Sequence, residues 1–296
     1  MTEFLQQLLN GLSLGAIYAL IALGYTMVYG VLRFINFAHS DVFMVGAFIG
    51  YYIGNHVPEG TISGGLLVMV GSMVGCALLG MLIERLIYRP LRNSPTLNVL
   101  ITAIGVSLFL EYSGQIVFGA APRTFPAIFP SENFHFGELT ISSNQLLVIV
   151  VTLLLLGLLH FIVMKTKIGT AMRAVSINPK AAALVGINND FIISFTFALG
   201  SAMAAAGGVL YALNYPSIDP LMGVLPGLKA FVAAILGGIG NIPGAALGGL
   251  LLGTVETFVG GSEWSTYKDA IAFAILIVIL LFRPAGLLGK STVEKV

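Results

Sequence analysis

Long apolar runs, separated by short polar segments, alternate along the whole chain. A helix of about 20 apolar residues crosses the roughly 30 Å hydrocarbon core of a bilayer, and about nine runs approach that length. The seventh and eighth are short, which is typical of re-entrant or broken spans. The predicted bounds are near 4–29, 37–56, 65–87, 96–118, 144–164, 191–213, 225–240, 244–260 and 267–282. The pattern predicts an all-α, polytopic membrane bundle with about eight to ten transmembrane segments.

Composition agrees with a bundle embedded in lipid. Hydrophobic residues make up 57% of the chain, charged residues 9%, and the mean hydropathy is +0.97. Soluble domains carry about 25% charged residues, so that class is excluded. The net charge of +1 provides no field for nucleic acid. The amino terminus lacks the basic front of a cleavable signal peptide, so the first span is expected to remain. Residues 1–296 are predicted to form a single transmembrane domain.

Positive charges predict the orientation, because Lys and Arg near span ends stay on the cytoplasmic side. With the amino terminus outside and the carboxyl terminus in the cytoplasm, eleven of the fourteen Lys and Arg residues face the cytoplasm. These are Arg33, Arg85, Arg89, Arg92, Lys165, Lys167, Arg173, Lys180, Arg283, Lys290 and Lys295. Arg123 and Lys268 would lie outside, and Lys229 within a span. The loop 119–143, with several Pro and aromatic residues, is predicted to be an ordered extracytoplasmic platform.

The segment 165–190 interrupts the apolar pattern with a long basic stretch, KTKIGTAMRAVSINPKAAALVGINND. It holds four cations and a single acid, Asp190. Pro179 stands where a short amphipathic helix would begin, since proline is favoured at the first helical position. The segment is therefore predicted to be a cytoplasmic docking loop for a soluble partner.

Polar residues also crowd the start of the second span, at Asn36, His39 and Asp41. Asn36 is expected to cap that helix, and Asp41 to favour its positive end, at the inner mouth of the span. The alternative hypothesis is a cytoplasmic gate or a partner contact. Glu111, on the outer third of the fourth span, is a further carboxylate that can face a pathway.

Two charges lie inside the predicted seventh and eighth spans. Gly240 to Gly244 form a Gly-Pro turn, and Lys229 and Glu256 are equally distant from its centre. Two antiparallel helices leaving the turn would bring both charges to one depth in the outer part of the bilayer. A lone charge at the membrane centre costs roughly 2.5 to 3.5 kcal/mol on insertion scales. The two residues are thus interfacial, a structural pair, or part of a substrate route.

Small residues recur every four positions on several spans, which favours close approach of helix backbones in lipid. They are Gly11, Gly15 and Ala19 on the first span, Gly71 and Gly75 on the third, and Ala245, Gly249 and Gly253 on the eighth. Generic bundle packing and sliding of glycine-rich faces during a gating cycle both fit this pattern.

Catalytic and metal motifs are weak. Gly11 to Gly15 spell G-x-S-x-G, but no histidine is predicted at the depth of Ser13, so no catalytic residue is assigned. Gly286 to Ser291 end like a Walker A loop, with Pro284 where the first glycine belongs. The four histidines lack ligand spacing, and Cys76 is expected to be a packing residue. The chain is therefore expected to be no enzyme, with neither metal nor cofactor of its own.

Residues Lys180, Ala181, Ala182 and Gly186 resemble the E-A-A-x-x-x-G loop of ABC importer permeases, which docks on the ATPase. Lys180 replaces the acidic residue, so the small alanines and the glycine carry the match. Further segments resemble branched-chain amino acid permeases over nearly the whole chain. They are GYTMVYGVLRFINFAHSDVFMVGAF, ERLIYRPLR, MRAVSINPKAAALVGIN, GLKAFVAAILGGIGNIPGAALGGLLLG and FRPAGLLGK.

Within that family the chain is most similar to the H-type permease subunits. The resemblance implies import of branched-chain amino acids across a bacterial inner membrane. The implied partners are a second, M-type permease subunit, two cytoplasmic ABC ATPases that use ATP and Mg²⁺, and a periplasmic amino-acid-binding protein. The alternative is a self-sufficient secondary transporter or channel, in which Glu111, Lys229 and Glu256 would couple ions.

Overall fold

The computed structural model describes residues 2–289, so Lys290 and Lys295 of the predicted cytoplasmic set lie outside the described residues. Its helices are α1 (Thr2–Leu32), α2 (His39–Gly54), α3 (Ile62–Ile83), α4 (Thr96–Phe118), α5 (Ser143–Lys165), α6 (Lys167–Ile177), α7 (Pro179–Leu184), α8 (Asn189–Asn214), α9 (Val224–Gly237), α10 (Ile242–Gly260) and α11 (Lys268–Phe282). A π-helical turn, Glu84–Tyr88, continues α3, and a 3-10 turn, Ser265–Tyr267, precedes α11. Four short strands, β1 (Arg123–Thr124), β2 (Asn133–Phe136), β3 (Leu139–Ser142) and β4 (Ser217–Ile218), complete the fold.

Seven of these helices are long and apolar enough to cross a membrane, which confirms the predicted polytopic bundle. They are α1, α3, α4, α5, α8, α10 and α11, with α3 and α11 extended by their adjoining turns. α1 and α8 are largely buried and form the centre, whereas α4, α5 and α11 expose most of their surface.

The ends of these helices lie on two opposite faces of the bundle. On one, the N-terminal face, Thr2 donates a hydrogen bond to Glu138 of the β2–β3 connection, and β1 pairs with β4. On the other, the cation-rich face, the end of α1 at Gly30 meets the α9–α10 turn at Gly240. α6 and α7, which form the predicted docking loop, lie on the cation-rich face. The strands add a small cover that an all-α prediction does not include.

α2 and α9 are too short to cross a bilayer alone, with 16 and 14 residues. Each is preceded by a non-helical segment, 33–38 before α2 and 215–223 before α9. Their first turns meet inside the bundle, because Gly223 and Gly227 pack directly against Ser40. α2 then runs to the N-terminal face and α9 to the cation-rich face. Two crossings are therefore part extended segment and part helix.

The bundle contains an inverted repeat that is not evident in the sequence. α1 packs most extensively on α10, and α8 packs most extensively on α3. Likewise α9 packs on α1 and α2 packs on α8. The units α1–α4 and α8–α11 thus have equivalent arrangements with opposite directions across the bundle, a frequent architecture in transporters.

Glycines allow the central helices to approach closely, as their spacing predicts. A Cβ added to Gly15 would lie 2.7 Å from the Leu250 Cα, and one added to Gly253 would lie 2.3 Å from the Gly15 Cα. These are backbone contacts, so a side chain cannot be accommodated by rotation. Gly71 and Gly75 instead face isoleucine side chains of α2.

Candidate functional site

The predicted docking loop folds as two helices with well-defined starts. Thr166 caps α6 by accepting a hydrogen bond from the Gly169 amide at 3.1 Å. Asn178 caps α7 by accepting from the Ala181 amide at 3.0 Å, and Pro179 occupies the first turn. The prediction that a short helix begins at Pro179 is confirmed.

α7 presents an apolar tip to its surroundings. Leu184 is 89% exposed and Val185 is 77% exposed, on a face otherwise rich in cations. Among the residues named from the sequence, Lys180 and Ala181 are also exposed, whereas Ala182 is buried beneath the helix. Leaving two large apolar side chains in water is unfavourable by roughly 25 cal/mol per Å² of apolar surface, so this tip is suited to a protein partner.

Gly186 ends the apolar tip with a backbone conformation that other residues rarely adopt. Its φ is +86°, and nothing lies within 4 Å of an added Cβ. The glycine is therefore required by the backbone rather than by crowding. It turns the chain from α7 toward α8, whose first turn is capped by Asn188.

Both ends of the docking loop are fixed to the bundle. At the α5 side, the Arg173 guanidinium donates to the Val163 carbonyl. At the α8 side, the Asn189 Nδ2 donates to the Pro179 carbonyl at 2.8 Å. A displacement of α6 or α7 is therefore passed to α5 and α8 instead of being absorbed by a flexible linker.

The sequence does not predict the ion cluster on the cation-rich face, here called the Arg92 cluster and formed by Glu84, Arg89, Arg92 and Asp190. The two Asp190 oxygens accept from Arg89 and Arg92, the latter at 2.6 Å. Arg92 also binds Glu84, which is 0% exposed. In the sequence these arginines mark the cytoplasmic side and belong to the segment ERLIYRPLR, but no ion pair is predicted for them. The spacing of two arginines just after a span is a signal, but their acidic partner is about 100 positions away.

Asn36 does not cap the second span as predicted. α2 begins after Ala38, which makes no side-chain cap bond, and Asn36 contributes only its backbone carbonyl, which accepts from the His39 amide at 3.2 Å. The Asn36 Oδ1 instead accepts a hydrogen bond from the Tyr88 hydroxyl at 2.6 Å. This amide ties the segment 33–38 to the π turn after α3.

His39 and Asp41 lie near the middle of the bundle rather than at its inner mouth. The His39 Nε2 is 3.2 Å from the Ile21 carbonyl, roughly 16 Å before the end of α1 at 1.5 Å per residue. Asp41 accepts a hydrogen bond at 2.5 Å from Ser107, near the middle of α4. The prediction assumed a full-length second span, whereas α2 begins at mid-depth.

Glu111 lies on α4 about one turn beyond Ser107, toward the N-terminal face. It is partly exposed on the side of the chain. Since α4 packs mainly against α2 within this chain, the strip around Glu111 is open to whatever surrounds the protein. Hydrocarbon solvates a carboxylate poorly, so protein or water is the favourable neighbour.

Of the three alternatives left open for Lys229 and Glu256, the structure supports the structural pair. The Lys229 Nζ lies 2.6 Å from a Glu256 oxygen and 2.6 Å from an Asp269 oxygen. The Tyr18 hydroxyl donates to the other Glu256 oxygen at 2.9 Å. Lys229 and Glu256 are 5% and 6% exposed. Helices α1, α9, α10 and α11 therefore meet at one ion cluster, of which the sequence places only Lys229 and Glu256 at one depth.

A polar cavity of about 460 Å³ opens near the N-terminal face between α1, α5, α8 and α10. Its walls carry neutral amides and hydroxyls. Gln145 donates to Asn10 at 2.8 Å, and Asn214 donates to Ser13 at 3.2 Å. The serine of the G-x-S-x-G sequence thus accepts a hydrogen bond from an amide, and no histidine lines the cavity.

Metal-binding and nucleotide motifs gain no geometric support. Over residues 2–289 no three His, Cys, Asp or Glu side chains form a metal-binding group. Cys76 is buried, and its thiol lies 3.4 Å from the Val42 carbonyl, as expected for a packing residue. The Walker-like segment extends into residues 290 and 291, outside the described residues.

Comparison with known proteins identifies close relatives over the whole chain. A family model described as "Branched-chain amino acid transport system / permease component" matches residues 7–280. The chain is 44% identical over 303 residues to the high-affinity branched-chain amino acid transport system permease protein BraD of Pseudomonas aeruginosa, covering 99% of this chain and 98% of BraD.

Similarity extends to two further permeases. The chain is 44% identical over 304 residues to LivH of Escherichia coli, a high-affinity branched-chain amino acid transport system permease, with 99% and 98% coverage. It is 31% identical over 291 residues to a probable branched-chain amino acid transport permease of Methanocaldococcus jannaschii, with 91% and 88% coverage.

Proposed function

The chain belongs to the family of branched-chain amino acid transport system permease components, and we propose that it is one membrane subunit of an ATP-driven importer of these amino acids. The proposal assigns ATP and Mg²⁺ to two cytoplasmic ATPase subunits. A second, M-type permease would complete the membrane part, and a periplasmic amino-acid-binding protein would deliver the solute. This chain supplies half of the route and a docking surface, and no catalytic group.

The observation that carries the proposal is the exposed apolar tip of α7. Leu184 and Val185 project from the docking loop, whose α6 is bonded to α5 and whose α7 is bonded to α8. A short helix with apolar residues at its end fits a groove on a partner protein. Lys180, Ala181, Ala182 and Gly186 belong to the same surface and are proposed to couple the ATPase to the bundle.

The orientation follows from the same surface. Seven cations from the docking helices and the adjoining turns lie on the cation-rich face, which the positive-inside rule assigns to the cytoplasm. They are Arg33, Arg85, Arg89, Arg92, Lys167, Arg173 and Lys180. The protein then lies in the inner membrane of a bacterial cell with its amino terminus on the extracytoplasmic side. The N-terminal face receives the binding protein.

Asp41 and Glu111 are proposed to belong to the solute route or its gate. Glu111 lies on α4 and Asp41 accepts a hydrogen bond from it, and α4 packs mainly against α2 within this chain and leaves most of its surface exposed. A second permease packed against this strip would place them between the two subunits. Asn36 and His39, near the start of α2, would then respond to opening of that route.

A self-sufficient secondary transporter is not favoured. Lys229 and Glu256, which that alternative would use for ion coupling, bind each other and Asp269, and are buried. Uptake by the purified chain alone, driven by an ion gradient in vesicles, would be the result expected of the alternative. The importer requires co-reconstituted ATPases.

The experiment that tests the proposal introduces charge into the apolar tip. The double variant Leu184→Asp/Val185→Asp should fold normally but lose co-purification with the ATPase subunits, and leucine uptake should fall to background. Phe134→Asp is the control for ATPase co-purification, because Phe134 is a 41% exposed apolar residue of β2, in the cover on the N-terminal face. Retention of ATPase binding by the double variant would contradict the proposal.

A further inference from the structure

The Arg92 cluster joins the start of α8 to the end of α3. Arg92 lies between two acids, with one guanidinium nitrogen on Asp190 at 2.6 Å and another on Glu84. Arg89 takes the second Asp190 oxygen, and Ser194 donates to the second Glu84 oxygen. All four carboxylate oxygens of the cluster are therefore engaged, and its two positive and two negative charges balance.

Such a cluster holds its elements in one relative position. Charge-assisted hydrogen bonds of guanidinium to carboxylate have strict geometry. Glu84 is 0% exposed, and the Arg92 side chain is 17% exposed, so the bonds between them are little screened by water. Sliding of α8 past α3 at this level would break both Asp190 ion pairs and the Ser194 hydrogen bond, leaving one oxygen of the buried Glu84 carboxylate without a partner, which is unfavourable.

On one side the cluster is contiguous with the docking loop. Asn189, which precedes Asp190, donates its side-chain amide to the Pro179 carbonyl at the start of α7. Only residues 185–188 separate α7 from α8. A movement of α7 therefore reaches Asp190 directly.

On the other side the cluster is contiguous with the segment before α2. The π turn that begins at Glu84 ends at Tyr88, whose hydroxyl donates to Asn36 at 2.6 Å. The Tyr88 ring also packs between Phe34, at 5.0 Å, and Phe197 of α8, at 5.5 Å. Asn36 precedes the mid-depth start of α2 by three residues. A π turn within a helix is frequently associated with function.

We infer that Glu84, Arg92, Asp190 and Tyr88 are positioning residues that transmit motion of the docking loop to the start of α2, and so open or close the route beside Asp41. The inference rests on the proposed function, since it requires ATPases at α7. It adds that the ATPase-driven movement of the docking loop reaches the bundle through α8 and the π turn, and not only through α5.

The test compares import with ATP hydrolysis in proteoliposomes that contain the complete transporter. In Asp190→Asn, which removes the acid paired with Arg89 and leaves Arg92 with Glu84 alone, ATPase binding and hydrolysis should stay near the wild-type level. Leucine import per ATP should fall about tenfold, within the usual 5- to 150-fold range of coupling between sites. Arg85→Gln, at an exposed cation of the same π turn, is the control and should keep its import ratio.

Tyr88→Phe provides a second variant that removes one oxygen and keeps the ring packing. It should fold, bind the ATPases and hydrolyse ATP, yet import less leucine per ATP than the wild type. It also decides the outcome if Asp190→Asn fails to fold. An unchanged import ratio in Tyr88→Phe, or a parallel loss of ATPase binding and import, would overturn the inference. Failure of the proposed function is distinguishable, because the wild-type chain would then not bind ATPases.

Discussion

Lys229 shows how a buried charge is made compatible with an apolar bundle. Its ammonium contacts two carboxylates, and Glu256 receives a further hydrogen bond from Tyr18. The sequence places Lys229 and Glu256 at one depth, because both are equally distant from a recognisable turn, but it leaves pairing as one of three alternatives. The sequence does not place Asp269 there, since its position depends on how α11 packs against α9, which no local pattern determines.

We expect Lys229→Met to destabilise the protein by about 3–5 kcal/mol, because it leaves Glu256 buried without its cation. The double variant Lys229→Met/Glu256→Gln should recover most of that loss, since neither buried charge remains and Asp269 is 42% exposed at its side chain. Equilibrium unfolding in detergent measures both, with Lys268→Met on the exposed end of α11 as the control. Equal stability of the single and double variants would contradict this account.

Gly186 gives a residue-scale prediction about the docking loop. Its φ of +86° is accessible to Asn at small cost but is unfavourable for β-branched residues by about 1–3 kcal/mol. Gly186→Asn should therefore keep ATPase binding and uptake, whereas Gly186→Val should reduce both while the bundle stays folded. Pull-down of the ATPase and uptake assays distinguish the two variants. Equal losses of ATPase binding in the two variants would show that the positive φ of Gly186 is not the cause.

At the scale of elements, the contact between α1 and α10 depends on glycines. Without a hydrophobic force between helices in lipid, close van der Waals packing supplies much of the association energy. The recurrence of Gly11, Gly15, Gly249 and Gly253 predicts close helix packing from the sequence, but not that α1 and α10 are the partners. The backbone distances support tight packing, whereas sliding of these faces remains a hypothesis.

Gly253→Val should prevent correct folding, because its Cβ would lie 2.3 Å from the Gly15 backbone. Gly157→Val on α5 is the matched control, since nothing lies within 4 Å of the added Cβ in this chain. Size-exclusion chromatography in mild detergent should give a monodisperse peak for the control and an aggregate or no protein for Gly253→Val. A well-folded Gly253→Val would mean that α1 and α10 pack differently.

The short helices mark the limit of what the sequence predicts. Hydropathy locates the apolar run of the second span but cannot tell a full helix from an extended segment followed by α2. Consequently the sequence placed His39 and Asp41 about half a membrane too shallow, whereas Asn36 stays beside the π turn near the cation-rich face. The start of α2 depends on contacts with Ile21, Ser107 and Tyr88, which are distant in sequence.

At the scale of the whole molecule, two inverted units meet around α1 and α8, with the non-helical entries to α2 and α9 at their centre. Such backbone breaks are tolerated in a membrane only where protein or water satisfies them. Here protein encloses both breaks. The two units therefore meet at mid-depth, where the non-helical segments end and α2 and α9 begin. The repeat is not evident in the sequence, because what the two units share is the order and packing of their helices, which no local residue pattern shows.

The two faces created by this architecture should lie on opposite sides of the membrane, with the cation-rich face in the cytoplasm. Cys76 is buried and is the single cysteine, so Cys76→Ser gives a background for labelling. In that background a membrane-impermeant thiol reagent should label Glu132→Cys in intact spheroplasts, because β2 and its loop cover the N-terminal face. Lys180→Cys, on exposed α7, should react only after the membrane is opened. Labelling of Lys180→Cys from outside would place the docking helices on the extracytoplasmic side. That result would contradict the proposed function, because a cytoplasmic ATPase can bind only a surface that is exposed to the cytoplasm.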